Sequence, residues 1–373
     1  MDVKVTNTGS VAGKDVVQLY VTAPYTVGGI EKASASLAAY AKTSSLAAGA
    51  SETVSIEIAK EDIASYDSEG IKLANGGYIL EAGEYTISAR ADSHTVLDSK
   101  SWTEAADIDY STGRSSDNTA ATNQFESYSR GDFTLLSRAN AFANYDVATA
   151  APTAEQAQMS DDMLAIVKSK TSVYFDGSDQ DDASDTMPTT GASNGLTVAK
   201  LRGVDYDDAQ WEQLIQQMTV DEMVTLVNMG GWTTQKIDSI GLVATNNCDG
   251  PAGLNNFITG AQGTAFPAEV LMAQTWNVEL IERMGAAMGQ EYVDANNYGI
   301  YGPAMNTHRD AFAGRNFEYF SEDGVQAAGM AVAVVKGQQS KGCYSYIKHF
   351  VLNDQETNRC SLILTFSAEQ AIR

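Results

Sequence analysis

The chain has 373 residues, 24 of them basic and 48 acidic, for a formal net charge of −24. A surface of that sign repels phosphate backbones and anionic lipid, which argues against nucleic-acid and membrane partners. Apolar residues make up 43%, enough for real cores, yet no apolar run reaches the ~20 residues of a spanning helix.

The length suits two or three domains. The start, Met1-Asp2-Val3-Lys4-Val5, has no apolar signal core. It runs directly into a strand pattern, so a preceding segment is expected. Residues 1–103 read as β, with alternation in Asp2–Thr6, Val17–Val21, Val54–Ile58 and Tyr85–Ala89. Turn signals separate them at Asn7-Thr8-Gly9, Ala48-Gly49-Ala50, Asn75-Gly76-Gly77 and Ala82-Gly83-Glu84. Short strands divided by turns predict a β-sandwich.

Residues 104–200 are rich in alanine, serine, threonine and aspartate, and periodicity fades. They are expected to form a mostly irregular covering segment or linker. The apolar island Phe133–Arg138 is expected to dock on a neighbour. The acidic run Asp176–Asp185 has its glycine misplaced and lacks the closing glutamate of a calcium loop, so a solvated loop is expected there.

From about Asp205 the period turns helical, with Trp211, Leu214, Ile215 and Met218 on one face. Thr219-Val220-Asp221-Glu222 is a capping box, and the next helix carries Met223, Val224 and Val227. Beyond it, strands over Leu242–Thr245, Tyr298–Met305 and Tyr344–Ile347 alternate with helices over Val278–Gln290 and Gly324–Val335. Strand, polar end, helix, repeated, is the βα pattern of a parallel sheet or barrel, whose strand ends form the active-site face.

Three polar blocks fall at such ends. Asp249, in Asp-Gly-Pro-Ala-Gly, is a turn former, or a fixed carboxylate accepting two neighbouring hydroxyls. Arg315 is an ion-pair partner of Glu318, Glu322 or Asp323, or a guanidinium aimed at a ligand and held by one of them. Lys348 and His349 are adjacent, so on a regular strand they point to opposite faces; at a strand end both can reach one pocket. The three cysteines, Cys248, Cys343 and Cys360, are scattered and read as buried or idle thiols. Neither a metal nor a cofactor is expected.

In this order, Cys248-Asp249-Gly250-Pro251-Ala252-Gly253-Leu254, Gly314-Arg315-Asn316-Phe317-Glu318-Tyr319-Phe320-Ser321-Glu322-Asp323 and Ile347-Lys348-His349-Phe350 resemble the sugar-binding half of the barrel in glycoside hydrolase family 3. Val5-Thr6-Asn7-Thr8-Gly9, Ala12–Val21 and Ala82-Gly83-Glu84-Tyr85-Thr86 resemble the fibronectin type III-like domain of that family. The resemblance implies a multi-domain α+β chain. A fibronectin type III-like β-sandwich (1–103) and the linker or covering segment (104–200) precede the first part of a (β/α)8, TIM-like barrel (201–373). It implies that Asp249, Arg315, Lys348 and His349 hold a glucose-like unit of a β-glucoside or short β-glucan oligosaccharide. The run after Phe350, Val-Leu-Asn-Asp-Gln-Glu, lacks a proline-glycine-histidine element, which implies the β-glucosidase-like branch over the N-acetylglucosaminidase branch.

Two departures stand out. Asn255 occupies a position where many relatives carry arginine. The sandwich also precedes the barrel, the order of a permuted subgroup. The resemblance then implies that no catalytic carboxylate lies in this chain: the nucleophile is expected beyond Arg373 and the acid/base before Met1. The expected function is thus a piece of a retaining β-glucosidase; the alternative is a non-catalytic carbohydrate-binding or scaffold protein of the same fold.

Overall fold

The structure, a computed structural model, describes residues 1–121, 136–150, 153–155, 158–171, 182–308, 311, 313–349, 353 and 356. Residues Phe133–Leu135 of the apolar island, most of the acidic run and Cys360 lie outside them. No helix among the described residues is long and apolar enough to cross a membrane. No group of three or more His, Cys, Asp or Glu side chains among them is placed to hold a metal ion. Two compact units are distinguished: the described parts of Met1–Ser129, Leu226–Lys236 and Val243–Arg373 form one, and those of Arg130–Thr225 with Ile237–Leu242 the other.

The first nine strands belong to the first unit: β1 (Asp2–Thr6), β2 (Val16–Thr22), β3 (Ser36–Lys42), β4 (Ser51–Ser55), β5 (Ser65–Tyr66), β6 (Tyr78–Leu80), β7 (Gly83–Arg90), β8 (Val96–Glu104) and β9 (Ile108–Asp109). An antiparallel sheet runs β3-β2-β7-β8, with smaller sheets β1-β4 and β5-β6-β9. β2 is central, and Val17, Leu19 and Val21 on one face and Gln18 and Tyr20 on the other are all buried. Val17 and Leu19 meet Val54, Ile56 and Ala89; Val21 meets Leu80 and Tyr85. Burial of these branched side chains on a pleated surface stabilises the sheet by roughly 1.5–3 kcal/mol each.

Five strands escaped the pattern reading, among them β5, β6 and β9, which are only two or three residues long. β3 has alanine at three of its seven positions, and β8 exposes most of its residues as an outer strand, so neither shows apolar alternation. The expected strand at Val54–Ile58 lies earlier, at Ser51–Ser55, where it pairs residue for residue with Asp2–Thr6. Strand pairing also continues past residue 103, through β9 on β6.

Next come α1 (Tyr145–Ala148), α2 (Asp161–Thr171), α3 (Ala209–Ile215) and α4 (Val220–Asn228). The capping box forms as expected: Thr219 N donates to Glu222 Oε2 at 2.9 Å, and Glu222 N to Thr219 Oγ1 at 3.2 Å. In the second unit Gln217 is buried and ties three segments, donating to Leu196 O and Ser239 O and accepting from Leu196 N. The expected apolar stripe is corrected here. α3 stops at Ile215, which is exposed, while Leu214 and Met218 are buried. Val224 and Val227 of α4 are exposed too.

The rest of the first unit holds β10 (Thr233–Thr234), β11 (Thr245–Asp249), α5 (Glu269–Ala273), α6 (Val278–Asp294), β12 (Gly299–Tyr301), α7 (Gly324–Gln339) and β13 (Tyr344–Ser345). β11, β12 and β13 are parallel neighbours, and β10 lies antiparallel on β11. Each parallel step crosses over through a helix, α6 and then α7, as the βα pattern predicts. The strands are shifted or shorter than expected. β11 begins at Thr245 and closes on Asp249, which places that carboxylate at the strand's carboxyl end. α6 and α7 pack closely because Gly337 has no side chain; a Cβ there would lie 2.2 Å from Glu282 O. Cys248, Met288, Tyr292, Ile300 and Cys343 form the apolar cluster beneath the strands.

The sandwich touches this region within the same unit. The Tyr40 ring of β3 stands edge-on to Trp276 at 5.0 Å, and Lys42 donates to Thr275 O. Gly329 of α7 makes the space, since a Cβ there would fall 2.2 Å from the Tyr40 hydroxyl.

Candidate functional site

The Asp249 turn is held from below. The hydroxyl of Tyr292, on α6, lies 3.0–3.4 Å from the carbonyls of Asp249, Gly250 and Gly253, which share its single proton. Gly250 has φ +136°, and a Cβ there would stand 2.1 Å from Gly253 O and 2.5 Å from the Tyr292 hydroxyl. Only glycine fits. Burial pushes the pKa of the Tyr292 hydroxyl well above its usual value, so it keeps its proton and stays a donor.

A chain of alternating charge leads away from that turn. Lys348 Nζ donates to Asp249 Oδ1 at 2.6 Å and lies 4.0 Å from Glu318 Oε2. Glu318 Oε1 accepts from Arg315 Nε, three residues earlier in the same short 3₁₀ turn, and Arg315 Nη1 lies 3.6 Å from Glu356. The side chains of Lys348, Arg315 and Glu318 retain 15%, 19% and 6% exposure, whereas Asp249 keeps 45%. Asp249 Oδ1 also accepts from Gly250 N at 3.0 Å; Oδ2 has no partner among the described residues. Arg315 pairs with Glu318 well below the surface, an arrangement that both readings of Arg315 contain.

His349 follows Lys348 through a cis peptide and meets different neighbours. Its Nδ1 lies 2.8 Å from the Tyr319 hydroxyl, which accepts from Asn353 Nδ2 at 2.8 Å. Tyr319 thus spends its proton on Nδ1, and the imidazole keeps its own proton on Nε2. Burial, then the charges of Arg315 and Lys348, press the ring's pKa down to about 4, so it is neutral at physiological pH. His308, the other strand-end histidine, bonds the Tyr319 carbonyl at 2.8 Å.

The structure therefore brings Asp249, Arg315, Lys348 and His349 together through Glu318 and Tyr319. Asn255, exposed, bridges to Gln262 instead. Sequence reasoning passed over Tyr319, Asn353 and Glu356; the position of Tyr319 at i+4 from Arg315, in the same turn as Glu318, was the available signal. It also passed over an aromatic group. Tyr301, the register partner of Asp249, packs at 4.9 Å on Trp232 and at 5.1 Å on Tyr346, and Trp232 meets the exposed Phe257 at 5.1 Å.

The carboxyl ends of parallel strands with helical crossovers, where these polar side chains gather, are where βα enzymes keep their active sites. Residues 216–359 match the glycosyl hydrolase family 3 N-terminal domain, and residues 15–93 the fibronectin type III-like domain. The chain thus carries a glycosyl hydrolase family 3 N-terminal domain, with a fibronectin type III-like domain ahead of it. It is 32% identical over 374 residues to β-glucosidase A of Butyrivibrio fibrisolvens, an alignment covering 96% of this chain and 42% of that protein. It is 31% identical over 389 residues to a β-glucosidase of Ruminococcus albus, covering 99% and 37%. Its fold is similar to a crystal structure of a β-glucosidase from Paenibacillus barengoltzii, with TM-score 0.67, 24% identity, 95% of this chain and 37% of that one. The chain thus spans about two fifths of the length of these relatives.

Proposed function

We propose that this chain holds the terminal β-D-glucosyl unit of a β-glucoside or short β-glucan oligosaccharide. In this reading it is the sugar-binding part of a retaining β-glucosidase, its parallel strands opening a (β/α)8 barrel, and both catalytic carboxyls come from outside its 373 residues. The observation that carries the reading is the open Oδ2 of Asp249, fixed on a glycine turn beside the half-buried Lys348–Glu318–Arg315 chain. A sugar ring presents hydroxyls side by side. A carboxylate accepts from two of them, while an ammonium, a guanidinium and the Nε2–H of a neutral imidazole donate to others. Each charge-assisted bond contributes roughly 1.5–3 kcal/mol. The Tyr301 and Trp232 rings supply apolar faces beside Asp249 for the part of the substrate beyond the first ring. Retaining hydrolysis places its two carboxyls ~5–5.5 Å apart across the scissile bond, so both must close over this pocket.

The test is a titration of D-glucose into the purified chain, followed by NMR. Saturable shifts at His349 and Lys348, lost in a folded Asp249→Ala chain, are expected, with no turnover of an aryl β-glucoside. Absent shifts, or shifts indifferent to Asp249→Ala, would sink the glucose reading. Turnover abolished by changing one of the chain's own acids would overturn the assignment of catalysis to other segments.

A further inference from the structure

Glu269 opens α5 with its side chain fully buried, and neither carboxyl oxygen has a hydrogen-bond partner among the described residues. Two elements pack on α5. The 3₁₀ turn Asn316–Glu318 brings the Glu318 carboxylate close. α7 brings Gln326, which donates to Ala273 O at 3.0 Å, and the apolar Ala327 and Met330. Asp323, capping α7, is occupied by the amides of Val325 and Gln326. Among the described residues, the charges acting on Glu269 are those of Glu318 and Lys348.

An ionised carboxyl without donors in an apolar wall is costly, so such a group stays protonated. Burial first, then the Glu318 carboxylate, push Glu269 up to about 8, against partial relief from its own amide and Lys348. Lys348 therefore has two carboxylates beside it, Asp249 at 2.6 Å and Glu318 at 4.0 Å, and feels Glu269 as a neutral acid. A third negative charge, at Glu269, would compete with Asp249 for the ammonium.

We propose that Glu269 is a positioning residue for Lys348: as a neutral acid it leaves the ammonium on Asp249, and as an anion it competes with Asp249 for the ammonium. The switch itself stands without a ligand; its consequence for glucose rests on the function proposed above. In the full chain with 13C-labelled lysine, the Cε resonance of Lys348, assigned by Lys348→Arg, should shift as pH passes through about 8. It should stay flat across that range in Glu269→Gln. Should the core reject the amide, Glu269→Met, apolar and of similar length, should give the same flat profile. Infrared spectra of the parent chain should show a protonated-carboxyl stretch at neutral pH that is missing from either variant. A Lys348 resonance that moves equally in parent and variants, or not at all in the parent, overturns the proposal, as does a missing carboxyl band. Glucose affinity should fall in the parent chain above the same pH and hold in the variants. Glucose binding with one pH profile in all three chains counts against the proposal. A chain whose Lys348 answers to Glu269 but which never binds glucose keeps the switch and sinks the sugar reading.

Discussion

In the sandwich, Lys72 reaches Asp107 at 2.9 Å and Glu81 at 3.4 Å, and Asp107 also accepts the Ala82 amide at 2.6 Å. Beside the parallel sheet, Lys348 reaches Asp249 and Glu318 in the same way, and Glu318 goes on to Arg315. The Lys72–Asp107 pair and the Lys348 chain use the same chemistry at different depths. Lys72 and Asp107 are 34% and 39% exposed, so water screens the pair and already solvates its lone pairs. Lys348, Arg315 and Glu318 are mostly out of water, and the chain of charge ends on the one exposed oxygen of Asp249 that nothing in the described protein answers. Surface pairs of the first kind barely stabilise a fold. A buried chain of the second kind is poised: each member is needed by the next, and the open end suits a hydroxyl-bearing ligand.

The sharpest way to break that contrast is Glu318→Ala. It leaves two half-buried cations short of their shared partner and should lower stability by about 3 kcal/mol, read from urea unfolding. A loss below about 1 kcal/mol would put this network in the class of the Lys72 pair. The next effect is one of pH. His349 sits at about 4 in the fold against 6.5 for an ordinary histidine. Between those values the unfolded chain takes up the proton first. The stability tied to the neutral ring is therefore complete above about 6.5 and is lost as pH falls toward 4, by about 1–2 kcal/mol once the ring's partial exposure is allowed for. His349→Gln should flatten that part of the stability curve; an unchanged slope would show that another group carries it. The smallest effect belongs to the sandwich. Lys72→Ala should cost about 0.5 kcal/mol or less, and should shrink further in high salt.

Local signals survived the passage from sequence to structure best. The Thr219–Glu222 box spans four residues and formed as read; α6 and α7 carry long periodic patterns and lie where the periodicity put them. The Asp-Gly-Pro, Gly-Arg-Asn and Lys-His-Phe blocks pointed to one cluster because each bears its polar groups on a single short turn or strand end. Long-range pairing left no such mark. Nothing about Tyr292 announces that it will brace a turn 39–43 positions away, nor about Tyr319 that it will fix the tautomer of a histidine 30 positions on. Glu269 reads as an ordinary helix-opening acid until the structure buries it. The strand limits failed for a related reason: β11–β13 are short and contribute mostly interior hydroxyls and amides, such as Asn247, which accepts from Tyr344 at 2.6 Å, so their apolar alternation is faint.

The notch at Gly329 has a consequence for the order of assembly. Tyr40 leaves the ribosome long before the helix that receives it, and the two are separated by roughly 290 residues. At synthesis rates of about 5–20 residues per second, the sandwich waits roughly 15–60 s with that ring uncovered. Its hydroxyl, pushed up to about 12 chiefly by burial in the finished fold, is in water throughout the wait. The edge of β3 is thus a surface open to nascent-chain chaperones during that wait.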